Sequence, residues 1–472
     1  MIGNSEYYNK FLTSKNQNKK LSTINSGDNT NSLSIQTEIP EITYNLYMQQ
    51  AGESLSKEFY KTKLQEQSNP KKKYLKNKKK YKIKKMDKNQ DTNQQQQNSK
   101  KVQNIPPDKH SFTFAGSTFI VSKKYVFIKR LGQGAYGVVC ACLDTSNNQK
   151  VAIKKIPNAF EDLIDAKRIV REIKLLRFFN HNNIVNLVDV QKQEQDTGFD
   201  DIYFATEFME TDLHKVIYSK QKLTDEHVQY FIYQILCGTN YMHSAGVVHR
   251  DLKPSNILAN KNCDIKICDL GLGRGGISDD NDNKKNNNND KQEELTEYVI
   301  TRWYRAPEVI LCPSEYTKAV DVWSIGCIFA ELLGRKAIFQ GDHYLDQIGK
   351  ITAILGSPNS DDLDFISKKE AKDFIMKFEK KNKIPFSKLY PGANPLALDL
   401  LEKMLTFHPK KRISIKECLS HPYFKDLRSD EFENVSKEIF DWSFDEMKLT
   451  KENLQKMIYE ESLFFHPNDK DK

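Results

Sequence analysis

The stretch from Val247 to Leu258, V-V-H-R-D-L-K-P-S-N-I-L, constrains this chain more than any other. It places Asp251, Lys253 and Asn256 close together. A carboxylate there can accept a hydroxyl proton, an ammonium can sit beside a moving phosphate, and an amide oxygen can ligate Mg²⁺. Phosphoryl transfer asks a protein for those three things. The bland alternative is a polar turn between strands. A chance match to every fixed position of H-R-D-L-x-x-x-N is improbable, so the rest of the chain is read against phosphate chemistry.

Upstream, Leu131 to Val139 reads L-G-Q-G-A-Y-G-V-V (Leu131, Gly132, Gln133, Gly134, Ala135, Tyr136, Gly137, Val138, Val139). Three glycines free the backbone so that its N–H groups can lie over phosphates. A dinucleotide-binding turn shows the same letters, but there a helix follows the glycines. Here a strand follows, V-V-C-A-C-L, and then V-A-I-K-K. A strand period of two puts Ala152 and Lys154 on one face and Lys155 on the other. Lys154 is therefore the expected phosphate ligand, and Lys155 a solvated neighbour. The same period puts Cys140 and Cys142 on one face.

Apolar residues from Asp162 to Phe179 recur at helical spacing, and Glu172 on that helix is placed to pair with Lys154. I-Y-F-A-T-E-F-M at 202–209 reads as a buried strand leading into a connector, with Asp212 placed to meet a ribose. A helix-like stretch from Glu226 to His243 leads to the Asp251 loop. Beyond it, I-K-I-C-D-L-G supplies Asp269 as a second Mg²⁺ ligand. Residues 276–294 are rich in Asn and Asp and read as a disordered loop. The following segment ends in A-P-E, where Glu308 is expected to pair with Arg412 as a buried fork. Asp321 opens an apolar helix suited to a core.

At 472 residues the chain is long for one ordinary domain, and its 38% hydrophobic content is low for a fully folded one. The first 105 residues hold 20 Lys against 9 acidic residues, a net of +11, while the whole chain carries +9. The basic character therefore belongs to the front quarter, whose Asn, Gln, Ser and Lys bury little. The lysine run at 71–85 is read first as a solvated tail or nuclear-import run, and second as a peptide that docks in cis on an acidic patch. A helix between Ile42 and Glu66 is the one element that segment offers. No leader sequence or membrane-spanning run is expected, and the 8 cysteines lack metal or redox spacing, which points to a reducing cytosolic or nuclear setting.

With these motifs assembled, the chain resembles a mitogen-activated protein kinase from about Ser111 to Pro467. The narrower features are T-E-Y at Thr296–Tyr298, V-x-T-R-W-Y-R-A-P-E after it, M-E-T-D-L at 209–213, L-D-Q-I-G-K-I-T-A-I-L-G-S-P at 345–358 and L-T-F-H-P-K-K-R at 405–412. A tail from F-D-W-S-F-D-E-M to E-E-S-L-F-F-H-P is similar to the extension that returns to the small lobe. Cyclin-dependent kinases lack T-E-Y and this tail.

The resemblance implies an α+β, two-lobed protein kinase fold, with a small β-rich N-lobe and a large helical C-lobe after a long disordered tail. The domain limits are 1–108 for the tail, 109–424 for the kinase domain (N-lobe 109–209, C-lobe 210–424) and 425–467 for the extension. It implies ATP and Mg²⁺ as cofactors. The glycine loop would cover the phosphates, Val139, Ala152 and Leu258 would sandwich adenine, and main-chain groups of Glu207 and Met209 would meet its edge. Asp251 would be the base, Lys154 and Lys253 the phosphate cations, and Asn256 and Asp269 the metal ligands. Thr296 and Tyr298 would be phosphorylated by an upstream dual-specificity kinase. Arg171, Arg250 and Arg274 would gather on the first phosphate, Arg302 and Arg305 on the second. Substrates would carry Ser or Thr before Pro, and basic docking peptides would meet Asp430, Glu431 and Glu433, near Asp426. Action in cytoplasm and nucleus, without membrane or nucleic acid, completes the set. The departures are Leu270 where the family has Phe, the Asn-rich insert, and Thr206 at the gatekeeper position. A pseudokinase scaffold is the competing class, and a nucleic-acid binder using residues 71–85 the other; phosphate incorporation and a salt-dependent titration separate them.

Overall fold

The computed structural model describes residues 105–114, 116–134, 137–192, 198–275, 302–312 and 317–467. The basic run, the 42–66 segment, the Asn-rich insert, Ala135, Tyr136, Thr296 and Tyr298 lie outside the described residues.

The N-terminal half of the folded region is built on five antiparallel strands: β3 (Tyr125–Gln133), β4 (Val138–Asp144), β5 (Gln149–Ile156), β6 (Leu187–Val190) and β7 (Ile202–Glu207). Their order is β3-β4-β5-β7-β6, and a separate two-stranded sheet is formed by β1 (Lys109–Phe114) and β2 (Ser117–Ser122). Val139 pairs with Lys154, and Ala152 pairs with Thr206. Directly opposed residues share a face, so Val139, Ala152, Lys154 and Thr206 all project from the same side of the sheet. The other side buries Phe119, Cys140, Cys142, Val151, Ile153 and Tyr203.

Lys155 is not a solvated neighbour. Its Nζ donates to the Thr118 carbonyl at 2.7 Å and pairs with Asp201 at 2.8 Å, and the residue is buried. The β2 strand comes down on the face that a single sheet would leave to water, and the long lysine arm reaches its edge. Cys140 and Cys142 do share a face, with their Sγ atoms 3.7 Å apart, and all eight cysteines are free.

Helix α1 (Leu163–Phe178) starts at Asp162, whose Oδ1 accepts from Ile164 N at 2.8 Å and Asp165 N at 3.1 Å. Such a cap stabilises a helix by about 1 kcal/mol. Ala166, Ile169, Val170, Ile173 and Leu176 pack into the main core, yet Arg168, Arg171 and Glu172 are buried too. A helix buried beyond its apolar stripe must have polar partners on several sides.

The second half is helical. Helix α2 (Leu213–Ile217) is short, α3 (Asp225–Ser244) is long, α4 (Pro307–Leu311) follows Ala306, and α5 (Ala319–Gly334) is buried continuously from Val320 to Leu332. Helix α5 is thus the centre of this half, with Trp323 stacked on Phe339 at 5.6 Å. A three-stranded sheet of β8 (Thr211–Asp212), β9 (Ile257–Ala259) and β10 (Ile265–Ile267) lies beside the catalytic-loop sequence. The chain returns along the first half through α6 (Lys451–Phe465). There Lys174 reaches Glu461 at 2.6 Å, Arg177 pairs with the same carboxylate, Gln455 Nε2 donates to the Phe199 carbonyl at 2.6 Å, and His466 meets Asp189 at 3.0 Å.

Candidate active site

Lys154 and Glu172 meet across the cleft face of the sheet. The Lys154 Nζ lies 3.0 Å from Glu172 Oε1 and 2.8 Å from Oε2. Burial opposes the ammonium charge, but Glu172 and Asp269 outweigh it and hold the lysine above its ordinary pKa. Burial, reinforced by Asp269, pushes the Glu172 carboxyl upward against the pull of Lys154. The lysine therefore carries a positive charge at neutral pH and has carboxylates on two sides.

The Asp251 loop is held from below by α5. Asp321, fully buried, accepts from His249 N and Arg250 N at 2.9 Å each, and its Oδ2 lies 2.8 Å from His243 Nε2. Burial pushes its carboxyl up, yet the hydrogen bonds and His243 hold it below the usual range. Arg250 has φ of 69°, a left-handed conformation that a non-glycine residue keeps only where its surroundings impose it. Asp321 supplies that imposition. Its position was visible in sequence as the start of an apolar helix, but nothing local showed what it would hold.

Within the loop, Lys253 Nζ lies 2.6 Å from Asp251 Oδ2, and Asn256 Nδ2 donates to Asp251 O at 2.9 Å and Oδ2 at 3.0 Å. Burial raises the Asp251 carboxyl while Lys253 lowers it, and burial prevails. With its Nδ2 so engaged, Asn256 has its amide oxygen to offer. Asp269, φ 64°, is the second left-handed non-glycine residue here, and Leu270 after it is fully buried in the main core. His249 Nε2 lies 3.1 Å from the Cys268 carbonyl, tying this strand end to the loop.

The glycines divide by role. A Cβ on Gly132 or Gly134 would meet nothing within 4 Å, whereas one on Gly137 would run into the Lys155 carbonyl oxygen. Gly134 N donates to Gly137 O at 2.9 Å. The first two leave space; Gly137 lets β4 approach β5. Leu131 and Gln133 flank the turn on β3, and Val138 is buried.

At the cleft rim, Glu207 N donates to the Asn186 carbonyl at 3.1 Å. The Glu207 side chain accepts from Asn186 N at 2.7 Å and pairs with Lys266 at 2.9 Å. Met209 is buried, and Leu258, half-buried, pairs with Asp212 across β8 and β9. Asp212 caps α2: its Oδ1 accepts from Lys215 N at 2.9 Å and its Oδ2 meets Lys215 Nζ at 2.6 Å.

Arg171 is fully buried, with Nη1 donating to the Gly271 carbonyl and Nη2 to Asp445 Oδ1, each at 2.9 Å. Arg274 lies in the same electrostatic field and exchanges backbone hydrogen bonds with Val248. Arg302 donates to Asp342 O at 2.7 Å and Arg305 to the Tyr344 hydroxyl at 2.5 Å. Arg412 forks onto Glu308 at 2.6 and 2.9 Å. A small cavity beside the loop is lined by Arg250, Asp251, Leu272, Arg305, Val309 and Val320. Of the acidic residues near the C-terminal extension, Glu433 is already paired with Arg428 at 2.9 Å and Tyr233 at 3.1 Å, while Asp426, Asp430 and Glu431 are exposed.

A β-rich half facing a helical half, with a lysine–glutamate pair inside the first and a loop carrying Asp, Lys and Asn in the second, defines the protein kinase class. Comparison with known proteins agrees. The protein kinase domain matches residues 125–424. Extracellular signal-regulated kinase 1 of Dictyostelium discoideum is 48% identical over 362 residues, 77% of this chain and 66% of that protein. Mitogen-activated protein kinase 3 of Arabidopsis thaliana is 45% identical over 358 residues, 76% and 93%. Mitogen-activated protein kinase homolog NTF3 of Nicotiana tabacum is 46% identical over 361 residues, 76% and 94%. The chain belongs to the mitogen-activated protein kinases and is a protein serine/threonine kinase of signalling, a family that uses ATP and Mg²⁺. Among the described residues no helix is long and apolar enough to cross a membrane.

Proposed function

We propose that this kinase transfers the γ-phosphate of ATP to Ser or Thr preceding Pro, with Asp251 as the base and Thr296 and Tyr298 as its phosphorylated switch. The observation that carries the reading is the joint placement of Lys154 on Glu172 and of Lys253 and Asn256 on Asp251.

The site fits the ligand. Gly132 and Gly134 leave room above the cleft, and the small Ala152 shares a face with Val139 and Lys154. Asp269 and Asn256 offer hard oxygens, the donor type that suits Mg²⁺ held partly through substrate phosphates. When bound there, Mg²⁺ neutralises phosphate charge. Lys154, steered by Glu172, holds the inner phosphates, and Lys253 meets the transferring one. Asp251, fixed by Asn256 and raised by burial, accepts the acceptor hydroxyl's proton. Val139, Ala152 and Leu258 enclose adenine, and the Glu207 carbonyl and Met209 amide meet its edge. Asp212, while holding Lys215 through both oxygens, keeps lone pairs for a ribose hydroxyl.

Phosphate on Thr296 adds about −1.5 to −2 charges and draws Arg171, Arg250 and Arg274, while Arg302 and Arg305 take Tyr298. The activator is a dual-specificity kinase, and the enzyme acts in cytoplasm and nucleus. A basic docking peptide would meet Asp430 and Glu431 more readily than the already paired Glu433.

The test is MgATP-dependent phosphate incorporation into a Ser-Pro peptide by the full chain. Asp251→Asn and Lys154→Met each lower the rate by at least about 10²-fold, and Thr296→Ala with Tyr298→Phe abolishes activation. Near-wild-type turnover in Asp251→Asn removes the base assignment.

A further inference from the structure

We propose that Asp445, in the C-terminal extension, is a positioning residue for phosphoryl transfer: its carboxylate holds Arg171, and through α1 the Glu172–Lys154 pair, when Thr296 bears no phosphate. The idea rests on the proposed role of Arg171 as a ligand of phosphorylated Thr296.

Arg171 immediately precedes Glu172 and its side chain is fully buried. Its two terminal nitrogens are divided between the Gly271 carbonyl, two residues after Asp269, and Asp445 Oδ1. One guanidinium therefore ties α1 to the metal-binding strand end and to the extension at once. One turn earlier, Lys167 donates to the Asp445 carbonyl at 2.8 Å and lies 3.4 Å from Oδ1. Asp445 is charged: burial pushes its carboxyl up, but Arg171, Lys167 and Arg274 bring it below the usual range.

The carboxylate is delivered by a fixed segment. Phe440 N donates to the Ala245 carbonyl at 3.0 Å, and Phe440 packs edge-on to Phe178 of α1 at 5.2 Å. Trp442 covers Gly275 so closely that a Cβ there would strike the indole, which places the extension against the root of the activation segment. Phe444 lies under the Lys174 ammonium at 5.5 Å, and Asp445 N closes the turn onto the Trp442 carbonyl at 2.9 Å.

A buried guanidinium needs an anion, because removing its partner leaves an uncompensated charge. Before Thr296 is phosphorylated, Asp445 is an anion that Arg171 holds. Once the phosphate arrives, Arg171 has a second, doubly charged acceptor, and its dependence on Asp445 falls. The two anions thus serve the same cation in succession.

The experiment uses the full chain, unphosphorylated and phosphorylated on Thr296, with MgADP affinity by calorimetry and the kcat and KM for ATP as readouts. In unphosphorylated protein Asp445→Asn binds MgADP on the order of tenfold more weakly, the scale of one charge-assisted hydrogen bond. Asp445→Glu restores most of the affinity, and phosphorylation brings Asp445→Asn to within about twofold of wild type. Asp441→Asn removes a charge from the same segment while keeping an acceptor for Ser443 N, takes no charge from Arg171, and leaves affinity unchanged. If Asp445→Asn does not fold, Lys167→Gln loosens the same carboxylate and gives a smaller loss with the same dependence on phosphorylation. Equal MgADP affinity in wild type and Asp445→Asn overturns the proposal. So does a loss that persists after phosphorylation, or one that Asp441→Asn reproduces. If phosphorylation changes nothing in wild type, the switch reading fails instead, and the unphosphorylated comparison still decides the role of Asp445.

Discussion

Replacing Arg412 by Met is expected to destabilise the protein by about 4 kcal/mol, near the top of what single substitutions do. The side chains of Arg412 and Glu308 are 0% and 1% exposed, so neither charge is relieved by water. Besides its fork onto Glu308, the guanidinium donates to Ala319 O at 2.7 Å, Thr406 O at 3.0 Å and Phe407 O at 3.2 Å, and it lies 5.0 Å over the Trp323 ring. Methionine fills part of the volume but leaves a buried carboxylate and three carbonyls with a lost donor. Breaking a buried pair this way costs about 3–5 kcal/mol. The double variant Glu308→Leu with Arg412→Met removes both charges and should lose less than the two single losses combined, by at least about 2 kcal/mol. Urea unfolding of the full chain, followed by far-ultraviolet dichroism and tryptophan fluorescence, measures all three. Because Glu308 opens α4, directly after the arginines of the Arg302–Arg305 segment, the peptide KM should rise more than the ATP KM. A loss under about 1 kcal/mol for Arg412→Met, or additive single losses, would refute the claim that the fork is one buried unit.

Four further outcomes follow from the geometry. Gly137→Ala should lower both stability and ATP affinity, because the Lys155 carbonyl blocks its Cβ, while Gly134→Ala leaves stability unchanged in thermal melts. Lys253→Met removes the charge that favours ionised Asp251, so the acid limb of the kcat/KM profile should move to higher pH; an unmoved limb would detach Lys253 from the base. His466 is raised from 6.5 chiefly by its hydrogen bond to Asp189, so its folded pKa lies above the unfolded one. Its contribution is full below pH 6.5 and fades as pH rises through the folded pKa, and His466→Gln should flatten that slope in pH-dependent urea midpoints. An inhibitor with a bulky aryl group aimed past Ala152 should lose affinity in Thr206→Met, and equal binding would show that Thr206 does not guard a pocket.

The sequence was readable where chemistry is carried by close spacing. The period of two in β5 separated Lys154 from Lys155, and the helical spacing after Asp162 put Glu172 on α1. The same rule failed for Lys155 because periodicity distinguishes two faces without saying what covers either. Here Thr118 of β2 comes down on the second face. Asp212 shows a different limit: its role as the cap of α2, with Lys215 on both oxygens, was not named by its motif. Glu308 and Arg412, 104 positions apart, were paired in advance only because each sits in a recognisable motif. Arg171 and Asp445 are 274 apart, and F-D-E-M carries no spacing that would name an arginine on α1.

The contacts that decide whether the motifs act together come from outside them, and of these only Glu172 on Lys154 was legible in the sequence. The Asp251 loop is held by Asp321 from the core of the helical half, Lys154 by Glu172 from α1, and Arg171 of α1 by Asp445 from the C-terminal extension. All three supports are carboxylates on hydrogen-bond donors, and each sits outside the loop, strand or helix it holds. A substitution at Asp321 should therefore act on the acid limb and kcat through His249 and Arg250, whereas one at Asp445 should act on nucleotide affinity through Arg171. The two supports converge on Asp269, which lies between Cys268, bonded to His249, and Gly271, bonded to Arg171. That short strand end, with its left-handed aspartate, is where a disturbance of either support should first be felt.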